Sequence, residues 1–125
     1  MSEQRKRDYT KYLFDGEKYG KGRLVLAVLK NYVAENPGIS NFDLKMAFPD
    51  CLQGDSDMQF SGTRVVLSRV EEIEAGEMKR FFTKDEELIQ IQGGKIAVCR
   101  EWNYQNIQNF IGATAKIGYV ITAVE

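Results

Sequence analysis

The sequence contains no histidine, and that absence alone removes several chemistries. Without imidazole there is no Ser-His-Asp or Cys-His nucleophile, no His-ligated zinc and no histidine acid–base step. Cysteine is nearly absent as well: Cys51 and Cys99 are too few for an all-cysteine zinc site or a disulfide framework. Only two prolines and eleven glycines occur, so the composition is neither disordered nor collagen-like. No stretch approaches the roughly 20 apolar residues of a membrane span, and none follows the polar start Met1 to Arg7. The expectation is a single cytoplasmic domain over residues 1–125, with residues 1–10 as a flexible basic arm. Reduced thiols are expected; a Cys51–Cys99 disulfide is the disfavoured alternative.

What is present begins with an uneven charge distribution. Residues 1–30 carry eight Lys/Arg against four acids, whereas residues 31–60 carry Lys45 against Glu35, Asp43, Asp50, Asp55 and Asp57. The basic head, Arg5-Lys6-Arg7 with Lys11, suits phosphates or a minor groove; the plain alternative is a solvated terminus.

Local signals order the elements. Asp15-Gly16 between Tyr12-Leu13-Phe14 and Glu17-Lys18-Tyr19 predicts a small hairpin with a type I′ turn, Tyr12 facing Tyr19. Val25, Val28, Leu29, Tyr32 and Val33 share one helical face, ended by Asn36-Pro37-Gly38. Ser40 as N-cap, Asp43 at N3 and the Ile39/Leu44 staple open a second, short helix that Pro49 closes. Residues 50–62 read as a loop. Val66, Val70 and Ile73 then predict a third helix over 63–75, with a strand over Thr63 to Ser68 as the alternative because Val65 and Val66 are β-branched. Leu88–Gln92 and Lys95–Arg100 flank Gly93-Gly94, a hairpin expected to pair Ile91 with Ile96 and Ile89 with Val98. Asn103 caps a last helix carrying Ile107, Phe110, Ile111 and Thr114 inward; Gly118 ends it, and Tyr119 to Val124 form a terminal strand. The fold class is α+β: a winged-helix-like three-helix core with a β-hairpin, a C-terminal helix and a strand.

Candidate sites are few. Gly20-Lys21-Gly22-Arg23 opens a helix, where free N–H groups and the dipole favour phosphate, but it lacks the Walker spacing. Lys21 and Arg23 are the phosphate candidates. Arg64, Ser68 and Arg69 would lie on the solvent side of the third helix, in the position that enters a major groove. Glu71, Glu72 and Glu74 make that helix net negative and leave only its first turns usable. Asp85, Glu86 and Glu87 are explained by a capping box from Thr83 to Glu86. Asp55 and Asp57 miss the EF-hand spacing, so no metal site is expected. Trp102 either stacks a base or pins the hairpin to the last helix, the latter being commoner. Cys99 has no basic neighbour on its own face and is not expected to be a nucleophile.

Several motifs together resemble a known type. They are Tyr12-x-Phe14-x-Gly16-x-x-Tyr19, Arg23-Leu24-Val25-Leu26-Ala27-Val28, and Phe48-Pro49-Asp50-x-Leu52-Gln53-Gly54. With them stand Arg80-Phe81-Phe82, Ile96-Ala97-Val98-Cys99-x-x-Trp102-Asn103, Ile107-x-x-Phe110-Ile111 and Gly118-Tyr119-x-Ile121. Over about residues 10–122 the chain resembles small uncharacterised bacterial modules that accompany restriction and DNA-processing proteins. The resemblance implies a DNA-linked setting and no catalytic site.

The reading is a non-catalytic nucleic-acid-associated module in a prokaryotic or phage defence or regulatory setting, without a cofactor or a membrane partner. Its contacts would be Arg5, Lys6, Arg7, Lys21, Arg23, Arg64 and Ser68, with Lys95 at the tip of a wing. The alternative is a protein-binding adaptor or inhibitor, including an anti-defence protein, acting through the acidic surface or the hairpin. Dimerisation through the Ile89/Ile91/Ile96/Val98 face or the terminal strand fits either reading.

Overall fold

The structure is a computed structural model that describes residues 10–53 and 65–124. Two antiparallel sheets and three α-helices make an α+β fold. Strands β1 (Lys11–Phe14) and β2 (Glu17–Tyr19) form the expected hairpin, with Tyr12 opposite Tyr19. Asp15 and Gly16 both take positive φ, 52° and 85°, as a type I′ turn requires. The alternation then sends Tyr12 and Phe14 into the core and Lys11 and Leu13 outward. Helix α1 (Lys21–Glu35) follows, burying Leu24, Val25, Leu26, Val28 and Leu29; each such side chain stabilises the fold by about 1.5–3 kcal/mol. Helix α2 (Asn41–Ala47) starts where the capping signal placed it, the Ser40 hydroxyl accepting from the Asp43 N–H at 3.1 Å. A 3-10 turn, Asp50–Gln53, then packs on the last helix.

Of the third helix expected over 63–75, the described part, residues 65–75, contains no α-helix. In its place strand β3 (Leu67–Arg69) leads into a 3-10 turn at Val70–Glu72. Tertiary pairing overrides the helical spacing of Val66, Val70 and Ile73: β3 finds a ladder partner 27 to 31 residues on, with Leu67 opposite Val98 and Arg69 opposite Ile96. Among the described residues the third helix of a winged-helix core is therefore not formed, and the α+β class holds. Another 3-10 segment, Ala75–Arg80, leads into β4 (Phe81–Phe82). The cap expected from Thr83 to Glu86 is displaced by one residue: the Lys84 N–H donates to Glu87 Oε1 at 3.1 Å, at the 3-10 turn Asp85–Glu87.

Strands β5 (Ile89–Ile91) and β6 (Gly94–Cys99) form the second hairpin, but two residues out of the expected register. Ile89 faces Ile96 and Ile91 faces Gly94, so the turn is Gln92-Gly93. Gly93 at φ 85° makes this turn, and Gly94, at φ 156°, opens the strand. The Gln92 N–H then donates to Ile39 O at 3.0 Å and ties the turn to the start of α2. A two-residue slip preserves parity, so Ile89, Ile91, Ile96 and Val98 keep their shared face. That face lies inside the main core and is not available for dimerisation. On the other face, Ala97 and Cys99 meet Phe81, Val65, Val70, Ile73 and Leu88. Strand β6 is thus buried on both sides, with β3 on one edge and β5 and β4 in tandem on the other.

Helix α3 (Tyr104–Lys116) is capped by Asn103, and Gly118 takes φ 93° beyond its end. Strand β7 (Thr122–Val124) returns to pair with β1, giving the sheet order β2-β1-β7. Helix α1 touches both sheets and α3. A row of rings, Phe14, Tyr119, Tyr32, Phe48, Phe110 and Trp102, runs through the core with successive centroids 5.2 to 6.5 Å apart. Trp102 takes the pinning role: its indole N–H donates to Cys99 O at 2.9 Å while its ring meets Phe110. Cys51 is exposed and Cys99 buried, and no disulfide joins them.

Candidate functional site

At the first turn of α1, cations from three parts of the chain meet. Helix α1 contributes Lys21 and Arg23. Its N-cap, Gly20, is extended and offers no side-chain acceptor, and no acid occupies the first turn. Cations at a helix N-terminus oppose the macrodipole, the reverse of the usual arrangement. Strand β1 adds Lys11, whose Nζ lies 3.7 Å from where a Cβ on Gly20 would stand. The end of β6 adds Arg100, brought close because Gly22 has no side chain. A Cβ there would sit 3.0 Å from Arg100 O and 3.2 Å from Phe82 Cζ.

Phe82, 4% exposed, organises the two guanidinium groups. Arg23 Cζ lies 4.6 Å and Arg100 Cζ 5.2 Å from its ring centroid, both over the ring. Arg23 also donates to Glu87 Oε2 at 2.8 Å; the Glu87 side chain is 6% exposed and that of Arg23 53%. Burial alone would push the Glu87 carboxyl up, but the Lys84 N–H and the Arg23 guanidinium outweigh it and hold Glu87 below the usual carboxylate range. Glu87 therefore holds one edge of the Arg23 guanidinium itself, while half of that side chain stays in solvent.

The other expected contacts lie elsewhere. Ser68 sits in β3 opposite Ala97, its hydroxyl donating to Arg69 O at 3.1 Å, and not on a helix face. Lys95 is exposed beside the hairpin turn, about 16 Å from Arg100 along β6 at the usual rise per residue. Arg69 leans over Gly93 and Gly94 and meets Glu71 at 3.8 Å. Arg5, Lys6, Arg7 and Arg64 lie outside the described residues. Of the expected set, Lys21 and Arg23 both stand in the first turn of α1. Arg100 was missed because nothing local links it to residues some 78 positions earlier; the only cue was the side-chain-free Gly22.

Beyond the end of β6 lies a cleft of about 330 Å³ lined by Gln53, Val65, Arg80, Phe81, Cys99, Glu101, Trp102, Asn103 and Asn106. Asn106 and Gln53 are buried, and Asn106 Nδ2 donates to both Gln53 O and Gln53 Oε1 at 3.1 Å. Gln53 Nε2 donates to Glu101 O at 3.1 Å. Asn103 and Asn106 exchange reciprocal backbone-to-side-chain bonds of 2.8 and 2.9 Å. The Asn-x-x-Asn spacing is a polar version of the capping box and was the available signal for this pair; Gln53 had none.

A third surface feature is apolar. Phe42 and Met46 stand one turn apart on α2, 71% and 68% exposed. Elsewhere, the Tyr119 hydroxyl donates to Glu35 Oε1 at 2.6 Å, and burial together with that carboxylate pushes its pKa to about 12. Among the described residues no three acids or cysteines converge on a metal position, and no helix is long and apolar enough to cross a membrane. Comparison with protein-family models, with curated proteins and with solved structures finds no match, so the resemblance noted above rests on its motifs alone.

Proposed function

We propose that this domain is a non-catalytic nucleic-acid-binding module that holds a phosphate backbone at the cationic turn of α1. The observation that carries the reading is the convergence of Lys11, Lys21, Arg23 and Arg100 around a helix N-terminus that has no capping side chain and no acid of its own. Phosphate is the anion such a turn suits: the backbone N–H groups donate, the dipole favours negative charge and guanidinium forks donate to two oxygens. Absence of a helix at Leu67–Arg69 removes base reading by a recognition helix, so the contacts proposed are to the backbone and independent of sequence. The test is fluorescence anisotropy of labelled DNA with the wild type and with a Lys21→Ala/Arg100→Ala variant. Affinity should fall by about tenfold or more at low salt, uniformly across sequences. Unchanged affinity in a folded double variant would refute the assignment.

A second reading, a protein-binding adaptor, is supported by Phe42 and Met46, a solvent-facing apolar pair of the kind found at interfaces. It separates cleanly from the first, because Phe42→Ser/Met46→Ser should leave nucleic-acid affinity unchanged.

A further inference from the structure

We infer that the phosphate seated at the α1 turn is the terminal monoester of a strand, so that the module grips a nucleic-acid end rather than the middle of a backbone. This inference deepens the phosphate-binding reading above and rests on it. Its first support is the shape of the charge. Arg23 and Arg100 lie over the same Phe82 ring, 4.6 and 5.2 Å from its centroid, which keeps their guanidinium carbons within about 10 Å of each other. Lys21 stands in the same helical turn as Arg23, and Lys11 reaches the Gly20 N-cap from β1. These cations gather at one helix start. Other cations do not prolong them into a track: Arg69, Arg80 and Lys45 are each paired with a carboxylate, at 3.8, 3.0 and 2.7 Å, and Lys95 stands near the far end of β6. A run of internal phosphates is matched by cations spread along a groove, whereas a gathered set matches one group of higher charge.

The second support is what borders the turn. The 3-10 turn Asp85–Glu87 runs beside α1: Glu87 Oε2 accepts from Arg23 at 2.8 Å, and Glu86 O accepts from Lys30 Nζ at 2.6 Å, about 10 Å further along the helix. Asp85 and Glu86 are exposed there. A backbone continuing along α1 past Arg23 would carry its next phosphates toward these carboxylates, like charge against like. A strand that ends at the turn avoids them. The chemistry of the end also fits the donors. A terminal phosphate carries a charge of about −1.5 to −2 at pH 7 and three strong acceptor oxygens, against about −1 and two non-bridging oxygens for an internal diester. Two oxygens can take the guanidinium groups of Arg23 and Arg100 while the third faces the first-turn N–H groups, to which Gly20 supplies no side-chain cap.

The probes are internally labelled DNA strands of about twelve nucleotides and one sequence, ending in a 5′-phosphate, a 3′-phosphate or hydroxyls alone. A fourth strand carries its terminal phosphate as the methyl ester, and a free nucleoside monophosphate serves as competitor. In anisotropy at low salt, a phosphorylated end should bind about tenfold tighter than the hydroxyl-ended strand, and the methyl ester should lose most of that gain. Arg100→Ala should also remove most of the gain while leaving the melting temperature nearly unchanged, because Arg100 is exposed. Equal affinity for all four strands would overturn the end inference and leave the phosphate reading standing. A gain that persists undiminished in folded Arg100→Ala would overturn it by placing the end elsewhere. A nucleoside monophosphate that binds as tightly as the phosphorylated strand would overturn it in favour of a free nucleotide. Failure of every strand to bind at low salt would overturn both readings.

Discussion

Two glycines in helices make opposite predictions, and the contrast measures how tightly the cationic turn is built. Gly22 lies in the first turn of α1 and Gly112 in the middle of α3, neither with positive φ. An alanine at Gly112 meets nothing within 4 Å. Gly112→Ala should therefore stabilise the protein by about 1 kcal/mol through helix propensity alone. At Gly22 the same gain is at most about 1 kcal/mol and is opposed by overpacking of about 1–3 kcal/mol. The new methyl would stand 3.0 Å from Arg100 O and 3.2 Å from Phe82 Cζ. Neither neighbour gives way easily, because the Arg100 N–H is bonded to Arg80 O at 2.8 Å and Phe82 is buried in the core. The expected net loss is about 1 kcal/mol, so the two variants should differ by about 2 kcal/mol, or about 6–10 °C in Tm for a domain of this size. Urea unfolding followed by Trp102 fluorescence, together with thermal melts, measures both. If Gly22→Ala is as stabilising as Gly112→Ala, the close approach of α1 to Arg100 is wrong, and with it the geometry of the turn.

Arg23→Ala should cost about 1–2 kcal/mol at pH 7, less than for a fully buried pair because Arg23 is half in solvent. The folded Glu87 carboxyl titrates below its ordinary range, so the pair's contribution is present above the ordinary carboxylate pKa and lost as pH falls through the folded value. The difference between variant and wild type should accordingly shrink at acid pH in urea titrations, and a pH-independent loss would contradict the ion pair. Tyr119 titrates at about 12, while an unfolded tyrosine titrates at about 10; its contribution is present below the lower value and lost as pH rises through the higher. Burial and the nearby Glu17 and Asp15 raise Tyr19 as well, so an ultraviolet absorbance titration should show late tyrosine absorbance of which the component near 12 disappears in Tyr119→Phe; uniform titration of all six tyrosines would refute its burial against Glu35.

What was legible in the sequence was what local chemistry determines. The Asp15-Gly16 turn, the Ser40 and Asn103 caps, the stop at Asn36 and the Gly118 end each follow from a few adjacent residues, and each is found where expected. What failed depended on distant partners. Val66, Val70 and Ile73 fit a helix by spacing, and only β6, whose two faces are both buried, supplies the ladder that makes Leu67–Arg69 a strand. The second hairpin slipped by two because Gly93-Gly94 permits two turn positions with the same inside face, so the apolar pattern could not choose between them. The docking of the Gln92 N–H on Ile39 O is visible only in the folded chain. The candidate site divides likewise: Lys21 and Arg23 follow from the helix start, whereas Arg100, Lys11 and the Gln53–Asn106 pair are assembled by topology. Ser68 stands in β3 and not on the helix that was expected to present it.

The central claim is that phosphates are held by a small set of cations at the α1 turn, and the salt dependence of binding tests it most directly. For three to four phosphate contacts, log K for a DNA strand should fall linearly with log salt, with a slope of about −2 to −3. That slope, measured by anisotropy between low and moderate salt, is the expected result. Binding that does not change with salt, or no binding at the lowest salt, would contradict the account.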